Sequence, residues 1–185
     1  LYIYYEDKFY DVTPLDTAIT GATFSSSQNS NVVTVNKTSH ALDVGDYITF
    51  TSVSLPGGGA TSFTVADFQN FTYEIRTAPN ANTFTIQMKT NETGSGMSAG
   101  GGATINPYQE IGPTIQTYGY GWGTSTWSRL TWGSGSTTSS VILDPGSWSL
   151  DNFGAQLIAT IKDGKTFVWN PAVSNPLDQR ATIMV

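Results

Sequence analysis

The chain has 185 residues, no cysteine, a single histidine, and 14 acidic against 8 basic side chains, a formal charge of −6. Without cysteine there is no disulfide framework, thiolate metal site or thiol nucleophile, and an acidic balance argues against a surface built to neutralise phosphates. No apolar run approaches the ~18 residues of a membrane span, while a 38% hydrophobic and 12% aromatic content supplies a core and argues against disorder.

Leu1–Thr20 opens with alternating Tyr2-Ile3-Tyr4-Tyr5, turns at Glu6-Asp7-Lys8 and resumes at Phe9-Tyr10-Asp11-Val12, which predicts a β-hairpin with an acidic turn. The composition changes at Gly21. From there to Asn106 short Thr-, Val- and Ile-rich runs follow one another: Val32–Val35, Asp46–Thr51, Phe71–Ile75 and Thr83–Met88. Pro79-Asn80-Ala81-Asn82 reads as a turn, Val65–Asn70 fits one turn of helix, and Gly57-Gly58-Gly59 and Gly94–Gly102 read as loops. Runs this short and close pair locally and antiparallel, because parallel partners need longer crossovers. The expectation is a small barrel or sandwich of about five strands.

A second change falls near Pro107. Tyr118–Trp132 is dense in glycine and aromatics, with Trp122, Trp127 and Trp132 spaced by five. That spacing puts successive indoles on opposite faces of an extended strand, so they form no flat stripe. Gly133–Ser140 reads as a linker, and Val141-Ile142-Leu143 leads to a Pro145-Gly146 turn. Next come Trp148-Ser149-Leu150-Asp151-Asn152-Phe153-Gly154, a strand over Ala155–Ile161, a tight turn at Lys162-Asp163-Gly164-Lys165 and a return strand over Thr166–Trp169. Asp-Gly between apolar strands is a strong hairpin signal. The fold class expected is all-β. Leu1–Tyr5 and Ala181–Val185 both read as strands, so the chain has the look of an internal fragment of something longer.

Chemistry-bearing residues are sparse. His40 sits in His40-Ala41-Leu42-Asp43-Val44-Gly45-Asp46, a loop entering a strand with Gly45 and Asp46 at the turn, and a lone imidazole is no catalytic constellation. Asp144, Asp151 and Asp163 lie in the aromatic half, where paired carboxylates would suit glycoside cleavage. Each also fits a turn, at Asp144-Pro145-Gly146, Asp151-Asn152 and Asp163-Gly164, and the turn reading is preferred. Asp43 and Asp46 lack the dense acidic loop of a calcium site, and the glycine-rich loops lack the Lys-Ser/Thr of a phosphate cradle. No catalytic residue, metal or cofactor is assigned. The indoles Trp122, Trp127, Trp132, Trp148 and Trp169 are expected in the core or between subunits; exposed, they would suit sugar stacking.

Several stretches together resemble tail nozzle proteins of short-tailed bacteriophages. Tyr10-Asp11-Val12-Thr13-Pro14-Leu15 is similar to their Y-D-[IV]-T-P-[LI] stretch. A Thr-rich strand domain with His40–Phe50 follows, then Gly119-Tyr120-Gly121-Trp122-Gly123 with Trp127 and Trp132. Last in the same order come Trp148–Ala159, with Asp151, Asn152, Phe153 and Gly154, the turn Asp163-Gly164 and the strand Phe167-Val168-Trp169. Thr160-Ile161-Lys162 and Asp16-Thr17 depart from the pattern at a turn approach and at a usually basic position.

The resemblance implies a β-propeller-like body, residues 1–20 and 107–185 here, with a small β-domain inserted at 21–106. It also implies a hexameric ring in the virion, around the channel through which DNA leaves without sequence-specific binding, beside an adaptor and fibres. An acidic lumen would let DNA slide rather than grip it. The resulting expectation is a non-enzymatic structural component of a phage tail. Its rivals are a fibre or adhesin module binding cell-surface polysaccharide and a glycan-cleaving tail enzyme.

Overall fold

The computed structural model describes residues 1–56, 61–112, 147–172 and 179–184. The Gly57–Gly59 loop, Tyr118–Trp132, the linker at Gly133–Ser140, Val141–Leu143, Asp144 and the Pro145-Gly146 turn lie outside them. The described chain is all-β apart from one short helix, and it divides into two compact units. One comprises Leu15–Gln109; the other joins Leu1–Pro14 to the residues from Glu110 onward.

In Leu15–Gln109 seven strands form one antiparallel sheet: β3 (Ile19–Ser26), β4 (Val32–Asn36), β5 (Tyr47–Ser54), β6 (Tyr73–Glu74), β7 (Thr77–Asn80), β8 (Thr83–Gln87) and β9 (Gly100–Pro107). Their order is β6-β5-β9-β3-β4-β8-β7. The two edges are consecutive stretches of one bent run. Tyr73 and Glu74 pair with Ile48 and Tyr47 of β5, and after Ile75 the chain crosses to β8, where Arg76 N–H donates to Thr85 O and Thr77 faces Thr85. The sheet therefore curls into a barrel-like form of six runs, not the five expected. Three strands, β3, β7 and β9, go beyond the expected runs, and β3 and β9 are read poorly from sequence because they are rich in Gly, Thr, Ser and Ala. The loop expected over Gly94–Gly102 gives way to β9 at Gly100, and Pro79 and Asn80 belong to β7, leaving the turn to Ala81 and Asn82.

Period-two alternation fills the barrel. Phe24, Val33, Val35, Ile48, Phe50, Phe84, Ile86 and Ile105 all point inward and are buried. The helix α1 (Val65–Gln69) is too short to hold by itself. Thr64 caps it, its Oγ1 accepting from Asp67 N–H while Asp67 Oδ2 accepts from Thr64 N–H. Its one buried residue, Phe68, meets the Phe24 ring at 4.5 Å and the Phe50 and Phe63 rings edge-on at 6.0 and 6.2 Å. Phe68 is the plug of the barrel, worth roughly 3 kcal/mol in burial alone.

Register is adjusted by bulges. An extra residue at Gly21 shifts β3 against β9, and an extra residue at Gly101 of β9 cancels the shift; both glycines have positive φ, +78° and +79°. A Cβ on Gly101 would lie 2.1 Å from Ser54 O, so only glycine fits there.

The other unit begins with a hairpin, β1 (Tyr2–Tyr5) and β2 (Lys8–Asp11), closed by Glu6 and Asp7 at φ +46° and +61°, a type I′ turn. Its base is tied down. Val12 O accepts from Ala181 N–H, and Arg180 Nη1 lies 2.6 Å from Asp11 Oδ2 and donates to Thr13 O. A four-stranded antiparallel meander follows in chain order: β10 (Trp148–Phe153), β11 (Gln156–Ile161), β12 (Thr166–Trp169) and β13 (Thr182–Ile183). Ala159, Phe167 and Ala181 form its small core. The Asp163-Gly164 turn is present, with Asp163 at φ +57°. Asp151 and Asn152, expected at a turn, instead lie within β10 opposite Ile158 and Leu157. The turn falls two residues later because Gly154, at φ +62°, supplies the positive φ of a two-residue type II′ connection.

Candidate functional site

The most constrained polar group in the barrel unit is Glu92, in the loop between β8 and β9. It is fully buried, and no cationic side chain among the described residues pairs with it. Its carboxylate is held by donors from three separate segments. Oε1 accepts from Ser62 N–H at 2.6 Å, Ser62 Oγ at 2.8 Å and Gly94 N–H at 2.9 Å. Oε2 accepts from Thr61 Oγ1 at 2.5 Å and Ser26 Oγ at 3.2 Å. The hydroxyls are aimed by backbone amides: Phe63 N–H donates to Thr61 Oγ1, Thr93 N–H to Ser62 Oγ and Met97 N–H to Ser26 Oγ. Each hydroxyl thus spends its proton on Glu92.

Burial raises the Glu92 pKa, but the bonds from Thr61, Ser62 and Gly94 outweigh it and hold the group at about 2. A shell of donors leaves no room for a cation, so this carboxylate is a clamp joining the end of β3, the approach to α1 and its own loop. Nothing local marks it in the sequence, where Asn91-Glu92-Thr93-Gly94 looks like an ordinary solvated turn.

His40 has a comparable role. It is buried edge-on against Phe84, accepts from Leu42 N–H at Nδ1 and meets Asn80 O through Nε2 at 3.1 Å. Those partners assign the Nε2–H tautomer and use both ring nitrogens on backbone. Asp43 and Asp46 close the following turn on each other, Asp46 Oδ2 accepting from Asp43 N–H at 2.8 Å. Among the described residues no group of three metal-ligating side chains could hold an ion, and no helix is long and apolar enough to cross a membrane.

The described residues of the smaller unit present open apolar surface. On one face of the β1–β2 hairpin Tyr2, Tyr4 and Phe9 are all exposed, Phe9 at 74%, with the Tyr4 and Phe9 rings 5.0 Å apart across the strands. Every residue of β10 is exposed, including Leu150 at 61% and Phe153 at 74%. Trp148 sits at the rim of the meander core, 37% exposed and 6.1 Å from the Phe167 ring. Trp169 packs against that core and donates from Nε1 to Gln179 O.

Trp122, Trp127, Trp132 and Asp144 lie outside the described residues. Asp151 and Asp163 are not brought together: along β11 the residue facing Asp151 is Ile158, five residues before Asp163. At ~3.3 Å per residue that is roughly 16 Å, beyond the ~5–9.5 Å of a glycosidase pair. Asn152 and Phe153 are the last paired residues of β10, Gly154 opens the β10–β11 corner, and Asp163 and Gly164 lie at the next. The exposed trio Tyr2, Tyr4 and Phe9 was legible only as a hairpin.

What the geometry defines is an all-β chain with an internally clamped barrel-like unit and a meander unit bearing open apolar surface. No protein-family model and no curated protein matches it. Among solved structures the chain is similar to the phage phi92 endosialidase, at 14% sequence identity and a TM-score of 0.41, over 94% of this chain and 24% of that one. The chain therefore spans about a quarter of that protein's length.

Proposed function

We propose that the chain is a structural component of a phage virion: part of a distal tail tube or nozzle, assembled with copies of itself in a ring around the DNA exit channel. One observation carries the reading. The smaller unit leaves Tyr2, Tyr4, Phe9, Leu150 and Phe153 open to solvent, a quantity of apolar surface that an assembling protein buries between subunits. The ordered resemblance to nozzle proteins, from Tyr10–Leu15 to Phe167–Trp169, supplies the kind of assembly.

On this reading β10–β13, a four-stranded antiparallel meander, is a blade of a propeller-like body, and Leu15–Gln109 is its inserted domain. Trp122, Trp127 and Trp132, with Trp148 and Trp169, serve core and subunit contacts. The acidic balance keeps the lumen from gripping DNA, and an adaptor and fibres are the neighbours in the tail. The chemistry is mechanical, with no bond made or broken by this chain.

A second reading draws on the Tyr2, Tyr4 and Phe9 face, whose exposed rings would also stack on sugars in a fibre module. Gold-conjugated antibody against this chain, applied to intact particles, separates the two. Label confined to the axial tip of the tail is the expected result. Label on peripheral appendages, together with glycan-array binding lost in Phe9→Ala, overturns the nozzle reading in favour of the fibre.

A further inference from the structure

The strand β10 is an edge of its sheet among the described residues, and it is a weakly guarded one. All six residues are exposed, and it carries neither proline, lysine nor a bulge, the usual devices that stop an edge from pairing. Among the described residues its one guard is Asp151, whose Oδ1 accepts from Asn152 N–H at 2.8 Å.

The pairing rules fix which backbone groups are free. Phe153 and Gln156 flank the two-residue Gly154-Ala155 turn and so form a hydrogen-bonded pair, and the ladder alternates from there. The bond from Lys162 N–H to Ser147 O continues the same alternation. Ser149, Asp151 and Phe153 therefore direct their N–H and C=O groups toward β11. Trp148, Leu150 and Asn152 direct theirs outward.

We propose that this edge pairs antiparallel with β10 of a second copy of the chain, about a two-fold axis through Leu150. In that register Leu150 faces Leu150 of the other copy, Trp148 faces Asn152, and Ser149 faces Asp151. The three outward residues meet three outward residues, for up to six backbone hydrogen bonds. Two unsupported Leu150 side chains bury each other, and each Asp151 exchanges its own Asn152 amide for a serine hydroxyl.

The neighbouring registers are worse. Centring on Asp151 sets two carboxylates face to face in a close, non-hydrogen-bonded pair. Centring on Ser149 forfeits two backbone bonds. Six residues give a contact below the ~1,000 Å² of a stable interface, so the dimer is a weak one that forms at high concentration. It does not depend on the nozzle reading. A two-fold contact is self-complementary, whereas a ring closes through head-to-tail contacts.

The chain's lack of cysteine makes the register directly readable. Leu150→Cys, Ser149→Cys and Asp151→Cys are each prepared in the full 185-residue chain and oxidised mildly at high concentration. Leu150→Cys is expected to give a disulfide dimer, because facing Cα atoms lie within bridging distance. Ser149→Cys and Asp151→Cys alone are expected to stay monomeric, since each residue meets its own copy only diagonally, and to cross-link when mixed.

Sedimentation of the unmodified chain supplies the second readout. A dimer should form as concentration rises, and Leu150→Pro, which deletes an outward N–H and the Leu150 side chain but no bond to β11, should abolish it. No Leu150→Cys dimer, or equal cross-linking by all three single variants, overturns the proposal. So does a dimer, as distinct from a larger head-to-tail assembly, that survives Leu150→Pro.

Discussion

Glu92→Gln is the most informative single change in the barrel unit, because it keeps the shape of the side chain and removes its charge. The carboxylate lies at about 2 in the folded chain against an ordinary 4.5. At ~1.4 kcal/mol per unit, ionised Glu92 contributes about 3 kcal/mol relative to its protonated form. The folded value is depressed, so this stability is fully present above about pH 4.5 and is lost as pH falls toward 2. Glutamine also turns an amide N–H₂ toward Thr61 or Ser62 donors, leaving at least one of them unanswered. A loss of about 3 kcal/mol at neutral pH is expected.

The assay must report on the right unit. All five Trp lie outside Leu15–Gln109, so indole fluorescence is blind to this barrel. Urea unfolding followed by hydrogen exchange of peptides from that unit resolves it. The variant should be weakened at pH 7 and should lack most of the acid dependence that the natural chain shows between about pH 5 and 2. A variant within ~0.5 kcal/mol of the natural chain at pH 7, with an unchanged acid profile, would refute the clamp.

Three further outcomes follow from the same structure. Gly101→Ala should cost more than about 2 kcal/mol, since it combines positive φ with a Cβ 2.1 Å from Ser54 O, while Gly102→Ala, whose Cβ meets nothing within 4 Å, should be much milder; paired chemical denaturation checks the contrast. Phe68→Ala removes the plug and should cost roughly 3–5 kcal/mol, read as lost exchange protection in β3 and β5. Burial, then the nearby Asp67 charge, pushes Tyr73 up to about 12 while its hydroxyl donates to Asp67 O. Ultraviolet titration should show a phenol in Leu15–Gln109 ionising only near 12, and Tyr73→Phe should delete that step. The raised value makes the contribution of Tyr73 complete below pH 10 and lost as pH climbs through 12.

Legibility in the sequence followed side-chain size and turn chemistry. Val32–Val35 and Thr83–Met88 were readable because large apolar residues alternate there, and the Lys162–Lys165 turn because Asp-Gly carries its own conformational preference. β3 and β9 were not, since their inward residues include Ala22 and Ala103 and their register turns on Gly21 and Gly101, which mimic loop composition. Asp151-Asn152 reads locally as a turn, and pairing with Ile158 and Leu157 overrides that preference. Glu92 was illegible for another reason: its five donors are spread from Ser26 to Gly94, and no local window contains them.

Where the chain sits in the virion is decided by a cryo-electron reconstruction of intact particles. Density for this chain is expected in a closed ring around the tail axis at the distal end, with the meander unit in subunit contacts. Density confined to peripheral appendages, away from the axis, would contradict it and make Tyr2, Tyr4 and Phe9 the first residues to test for sugar binding.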